Sequence, residues 1–514
     1  MSNDIVLGWR INSGSDPRYW VRPQAKVGGH DQSDLVKAPA ESIAFHTVIV
    51  AQSGSGKSFF LGRFLEEILI KTRSRVVVFD PNSDFKKAGD VVGAQAWIDA
   101  AYNADKRRGF LPDETDRATF KMSWDAVDKV VYSLNPLDKP YHAELKIDWP
   151  LTPADIISGE IDSNLRTEFK HCHDFVKTIS QLMLLVTPDE KSEANFLDLA
   201  KSLAALTRGK DEAEILLHIK DKFPSHKTGT QSQIDLKFFK VIFDTEMLPA
   251  LSANDRKRQV EELHELAAMH RGFVSEPTER FYFSSAYAVQ ETGLIREGRN
   301  EKSKLTEARL QVMDLPSIGD RRFRDLAVSA LIDLEWTRAR QSWQEALKSD
   351  PSKDLRVPTF IVVDEAHNLI PAEPRGHAEF WLREQFRTLA AEGRKYGLYL
   401  ILVSQRPDKL DPLVISECEN RGVMKLGAEA VLKKTIEILG LNDVPIRTAQ
   451  RCLEFDVGRA LIVGPWAPEG PTSFYAAARR TEEGGRNLRS EFWSVLPAVP
   501  EPPKNSEGDI TPKK

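Results

Sequence analysis

The stretch from His46 to Thr72 constrains this chain more than any other. HTVIV (His46 to Val50) is a short run rich in β-branched residues, and AQSGSGKS (Ala51 to Ser58) is a loop of small residues. FFLGRFLEEILIKT then places Phe60, Phe64 and Ile68, with Leu61, Leu65 and Leu69, at helical spacing. A strand that runs through a small-residue loop into a helix leaves a row of backbone N–H groups at the helix start, where anions bind. The loop matches the phosphate-loop pattern except that Ala51 stands at its first glycine position. Residues Ser53, Gly54, Ser55, Gly56, Lys57, Ser58 and Phe59 are therefore the expected phosphate cradle. In it Gly54 and Gly56 leave room for the phosphates, Lys57 supplies positive charge and the Ser58 hydroxyl serves Mg²⁺. RVVVFD (Arg75 to Asp80) follows as a buried strand, predicting one βαβ unit with parallel pairing and a right-handed crossover.

A phosphate loop needs a carboxylate at the end of another buried strand, and TFIVVDEA (Thr359 to Ala366) supplies it. Asp364 is placed to hold Mg²⁺ through water, and Glu365 to act as general base on the attacking water. LYLILVSQ (Leu398 to Gln405) is the next strand, and Gln405 at its carboxyl end falls where ligands of open α/β sheets bind. The helix EFWLREQFRTLAAEGRKY joins these strands and ends on Arg394 and Lys395, basic residues that suit a helix C-terminus. The tetrapeptide Asp364 to His367 spells DEAH, as in superfamily 2 helicases. Too little sequence follows it for the second RecA-like domain that those enzymes require.

At 514 residues the chain exceeds what one core usually supports, and 41% hydrophobic with 29% charged residues reads as globular. Its sequence holds no apolar run near the ~20 residues of a membrane span and no basic-then-apolar leader, so a cytoplasmic protein without membrane contact is expected. Cys172, Cys418 and Cys452 are widely spaced and odd in number, against a disulfide framework. His171, Cys172 and His173 point to different faces of a helix, against a metal site. A net charge of -5 advertises no global basic field for nucleic acid, although KLTEAR and DRRFRDL are locally basic. The expected organisation is a short extension at 1–45, an α/β core over 46–90 and 305–485, a mostly helical insertion over 91–304, and a Pro- and charge-rich disordered tail at 486–514. RALIVG (Arg459 to Gly464) is the expected last strand.

HTVIVAQSGSGKS, FDPNSDF, FIVVDEAHNLIP, AAEGRKYGLYLILVSQRP and DPLVISECENRGVMKLG, in this order, resemble the central ATPase domain of the HerA family, within the HerA/FtsK class of translocating ATPases. The resemblance covers about 45–90 and 305–485. It implies a RecA-like P-loop core, ATP and Mg²⁺, a homohexamer with nucleotide at subunit interfaces, and DNA translocation or unwinding in repair or antiviral defence. It also implies an arginine contributed in trans to the γ-phosphate, the position matched by Arg394, with Arg421 and Arg480 as rivals. Two departures stand out. Only 50 residues precede Ala51, where the family carries an N-terminal barrel on which nuclease partners dock, so the barrel is expected to be missing or vestigial and the family's standard end-resection role is not expected. Such a shortened member resembles the ATPases of defence modules, which implies a nuclease or NAD-consuming effector as partner. FDPNSDF replaces the family's aspartate-proline-histidine-glycine-glutamate pattern, with Asp84 in place of the glutamate. A ring that regulates an effector without moving DNA is the alternative reading.

Overall fold

The computed structural model describes residues 4–10, 35–98, 114–145, 308–319, 321–348 and 356–484. Their twelve strands form one sheet in the order β2-β1-β12-β11-β10-β3-β9-β8-β4-β7-β5-β6. The centre is parallel and comprises β3 (Thr47–Val50), β4 (Arg75–Asp80), β7 (Leu310–Asp314), β8 (Thr359–Val363), β9 (Leu398–Ser404) and β10 (Asn420–Val423). Two further parallel strands, β5 (Lys129–Ser133) and β6 (His142–Glu144), extend one edge. The other edge is antiparallel, through β11 (Arg459–Val463), β12 (Thr472–Ala476), β1 (Ile5–Arg10) and β2 (Leu35–Ala38).

Period-two geometry explains why the central strands read as unbroken apolar runs: both faces of the sheet are covered. Val48, Val50, Val77 and Phe79 enter one core, while Ile49, Ala51, Val76 and Val78 enter the other. Helix α1 (Lys57–Lys71) covers the second face with Phe60, Phe64 and Ile68. After α2 (Glu114–Asp125), helices α3 (Arg321–Lys348) and α4 (His377–Tyr396) cover the first face with Leu331, Leu382 and Phe386. Short helices α5 (Pro412–Ser416), α6 (Glu429–Ile438) and α7 (Ile446–Gln450) complete that layer. The result is a RecA-like α/β core.

Several expectations are corrected. β3 and β4 are parallel but do not pair; β9 and β8 lie between them. All four strands are apolar on both faces, so local periodicity carries no information about which neighbour each selects. The sheet also extends into the stretch read as helical insertion. α2 packs there through buried Trp124, whose indole N–H donates to the Ala88 carbonyl at 3.0 Å, and β5 and β6 join the sheet beyond β7. KVVYS is only five residues long and sits in a charged surrounding that masked it. The remainder of the expected insertion, 99–113 and 146–304, with the His171 to His173 cluster, and the tail at 486–514 lie outside the described residues. β11 is not the last strand, because β12 returns antiparallel beside it and then pairs with β1. The described part of the N-terminal extension is thus an edge of the same sheet, docked on α1 by Lys71 Nζ to the Asp4 carbonyl at 2.7 Å.

Arg75 on β4 reaches across to α3, where its two terminal nitrogens donate to the two oxygens of buried Glu335 at 2.9 and 3.0 Å. Burial raises the pKa of Glu335, yet Arg75 and Arg338 outweigh it and hold the carboxyl below its ordinary value. Glu335→Ala strands the Arg75 charge and is expected to cost about 3–5 kcal/mol in denaturant titration. Because the folded pKa is depressed, this contribution is present above the unfolded carboxyl pKa and is lost as pH falls through the folded one, so the mutant's deficit shrinks in acid.

Candidate nucleotide site

The loop lies at the carboxyl end of β3, and its turn is set by backbone. Ser55 N–H donates to the Gln52 carbonyl at 3.1 Å, and Gly54 and Gly56 adopt φ of 73° and 89°. Gln52, Ser53 and Gly54 form an exposed crest, Ser55 is buried, and Ser58 and Phe59 are half-buried in the first turn of α1. The loop is pinned from both sides: Ala51 N–H donates to Ser404 on β9 at 3.1 Å, and Gly458 N–H donates to the Ser55 carbonyl at 2.8 Å.

Parallel neighbours bring the other predicted groups to the same edge. Lys57 Nζ lies 2.7 Å from Asp364 Oδ1 and 2.5 Å from Glu365 Oε1, all three side chains buried. Burial opposes the lysine charge, but the two carboxylates raise its pKa above the ordinary value. Burial pushes Asp364 up against the pull of Lys57, whereas Glu365 falls below its usual value because Lys57 and Gln405 outweigh its burial. Gln405 Nε2 donates to the same Glu365 oxygen that Lys57 holds. The other oxygen, Oε2, is buried without a hydrogen-bond partner and faces His367 Nδ1 at 3.5 Å. Glu365 sits at φ 45°, a left-handed conformation that costs a non-glycine residue of order 1–3 kcal/mol and is held here by the site around it. A carboxylate kept ionised with one oxygen open is what a general base needs.

Residues that sequence reasoning underrated come from the turn after β4. Asp80, fully buried, accepts from the N–H groups of Asn82, Asp84 and Phe85 at 3.1, 3.1 and 2.7 Å. Burial first, with Asp84 and Asp364 adding repulsion, pushes its pKa up to about 7. This turn aims Asp84 at Ser58, whose hydroxyl donates to it, and Asn82 Nδ2 at Asp364 Oδ2, 3.3 Å away. The DPNSD composition, rich in turn formers, was the available signal. Ser58 Oγ, Asp84 and Asp364 are hard oxygen donors that fit Mg²⁺.

The three candidate arginines lie elsewhere. Arg394, at the end of α4, pairs with Glu419 and stands 4.3 Å from the centre of the Phe45 ring. Phe45 and Glu419 precede β3 and β10, so Arg394 occupies the opposite edge of the sheet from the phosphate loop. Arg421 donates to the carbonyls of Cys418 and Gly440 at 3.2 and 3.3 Å. Arg480 is buried, 4.0 Å over the Trp97 ring.

Gly56→Ala tests the loop. The added Cβ would meet Gly458 N at 3.0 Å in a backbone conformation that L-residues resist by about 1–2 kcal/mol. Fluorescence titration with an ATP analogue is expected to show at least about tenfold weaker binding, each tenfold being ~1.4 kcal/mol.

A sequence model of the family described as the central domain of helicase HerA matches residues 32–331. The chain is 33% identical over 116 residues to a probable helicase of Methanocaldococcus jannaschii, covering 23% of this chain and 21% of that protein. It is 31% identical over 117 residues to the DNA double-strand break repair helicase HerA of Saccharolobus solfataricus, covering 23% and 22%. The aligned stretches thus span about a fifth of these relatives' own length. VirB4 of Thermoanaerobacter pseudethanolicus aligns over 92% of this chain and 96% of its own, at 15% identity and a TM-score of 0.39. Because the family match runs through more than half of the residues, the chain belongs to the family of the helicase HerA central domain.

Proposed function

We propose that this chain is a Mg²⁺-dependent ATP hydrolase that acts as a homohexameric DNA translocase or helicase. The observation that carries the reading is the convergence of Lys57, Asp364, Glu365 and Gln405 on one buried point at the carboxyl edge of the sheet. In this reading the loop and Lys57 bind the β- and γ-phosphates. Ser58 and Asp364, with Asp84 beside them, hold Mg²⁺, which neutralises charge developing on the transferred phosphoryl group. Glu365 accepts the proton of the attacking water at its open oxygen, and Gln405 orients Glu365 and senses the γ-phosphate.

Incompleteness of the single chain supports the ring reading. Arg394 is 43% exposed in its side chain and cannot reach its own loop past β3, whose four residues span ~13 Å. A neighbouring subunit's loop is the site that it can serve. DNA as the substrate rests on the family and on the helicase names of the aligned relatives. The local basic runs support it less than their composition suggested. Arg309 donates to the carbonyls of Leu69, Thr72 and Ser74, and Arg321 pairs with Glu379 at 2.6 Å. A nuclease or NAD-consuming partner in repair or antiviral defence belongs to the same proposal.

Lys57→Ala should abolish hydrolysis and nucleotide binding. Glu365→Gln should lower kcat by about 10²–10⁴-fold while nucleotide stays bound, the usual worth of a general base. Wild-type turnover in either rejects the site. Duplex DNA should stimulate hydrolysis with a steep salt dependence; salt-insensitive hydrolysis that rises only with a protein partner would instead identify an effector-regulating ring. Arg394→Ala, inactive alone, should restore turnover when mixed with Glu365→Gln subunits, and absence of rescue at every ratio would reject the trans role.

A further inference from the structure

After β12 the chain does not leave the fold. Residues 478–484 cross α1 and run along the segment that follows β4. Thr481 bridges Val91, Val92 N–H donates to Arg480 at 3.0 Å, and Glu482 N–H donates to Asp90 at 2.8 Å. Buried Glu66 on α1 accepts from the N–H of Arg480 at 2.9 Å and from Thr481 N–H and hydroxyl at 2.7 and 2.8 Å. These contacts anchor the strap independently of the side chain of Arg479.

That side chain points to the back of the nucleotide site. Arg479 is 2% exposed and stacks 4.8 Å from the Phe85 ring. Its guanidinium donates to the Asp84 carbonyl at 3.1 Å, the Ser58 carbonyl at 3.4 Å, the Glu482 carbonyl at 3.2 Å and the Thr481 hydroxyl at 3.2 Å. Four neutral oxygens around one buried cation are a geometric use of arginine: its fixed fork of N–H donors spans several carbonyls that a lysine cannot hold together. Gly62 makes the approach possible, because a Cβ there would lie 2.5 Å from Arg479 Cδ and Nε. Ser58 and Asp84 are thereby joined twice, by their side chains in front and through one guanidinium behind.

We propose that Arg479 is a positioning residue of the nucleotide site, which sets the separation of Ser58 and Asp84 and thereby the fit of the Mg²⁺–triphosphate complex. The inference rests on the nucleotide reading of the loop. Arg479 touches neither phosphate nor metal; it holds the two backbones whose side chains do. Displacing such groups by a fraction of an ångström weakens what they bind without unfolding the sheet.

The test measures affinity of the full chain for a fluorescent ATP analogue in EDTA and in Mg²⁺, with thermal melts alongside. Arg479→Lys keeps the charge but loses the span. Its affinity in EDTA should stay within about twofold of wild type, while the Mg²⁺-dependent gain falls about tenfold, as small misplacements of a binding group allow. Thr481→Val removes one guanidinium contact and the hydroxyl's bond to Glu66; where the melt shows it folded, it should shift the Mg²⁺-dependent gain in the same direction by a smaller factor, and it decides the matter if Arg479→Lys fails to fold. An unchanged Mg²⁺ gain in a folded Arg479→Lys, or equal losses in EDTA and Mg²⁺, overturns the proposal and leaves the nucleotide reading standing. A wild-type chain that binds the analogue in neither condition overturns both.

Discussion

Lys57 is buried between two carboxylates that lie 307 and 308 residues further along the chain. A lysine cannot be buried charged without such partners, and carboxylates at adjacent positions repel one another unless a cation stands between them. The phosphate loop, the end of β8 and, through Gln405, the end of β9 are therefore mutually dependent. The sheet order makes this possible by placing β9 and β8 directly after β3. The two strands that intervene between β3 and β4 are the ones that bring Asp364, Glu365 and Gln405 to the loop.

A second dependence runs through the turn after β4. Asp80 is spent on three backbone N–H groups, and this is what turns Asp84 towards Ser58 and Asn82 towards Asp364. The same turn receives the strap after β12, with Gly484 N–H on the Asp84 carbonyl at 3.1 Å. The last described residues of the chain are thus packed on one of its first functional loops. On the opposite edge of the sheet, Arg394 and Glu419 form an exposed pair remote from that chemistry. The chain accordingly carries its phosphate-loop sequence on one edge and an exposed arginine on the other, the polarity that the proposed head-to-tail ring requires.

Much of the central sheet was legible because a strand buried on both faces is written as a continuous apolar run, as in TVIV, RVVVFD, LQVMD and TFIVV. Asp364, just past TFIVV, and Gln405, just past LYLILVS, could be read as facing the carboxyl edge for the same reason. KVVYS and TSFYA were missed because strands of five residues in charged or turn-rich surroundings lack a periodic signal long enough to recognise. Arg479 and Arg480 look alike in sequence, yet one clamps the carbonyls of Ser58 and Asp84 and the other packs on Trp97. Only the path of the strap distinguishes them.

The sequence by itself determined the phosphate loop, the acidic strand end and the α/β class, because each depends on local spacing: glycines where φ must be positive, apolar residues where both faces are covered, and a carboxylate where a strand stops. Tertiary structure decided which strands stand side by side, that residues 114–145 extend the sheet, and that Asp84 and Arg479 both contact Ser58. Most of those are contacts between segments far apart in the chain, selected by how whole faces pack and by which buried charge finds its partner, and no short local window of sequence contains both halves of such a choice.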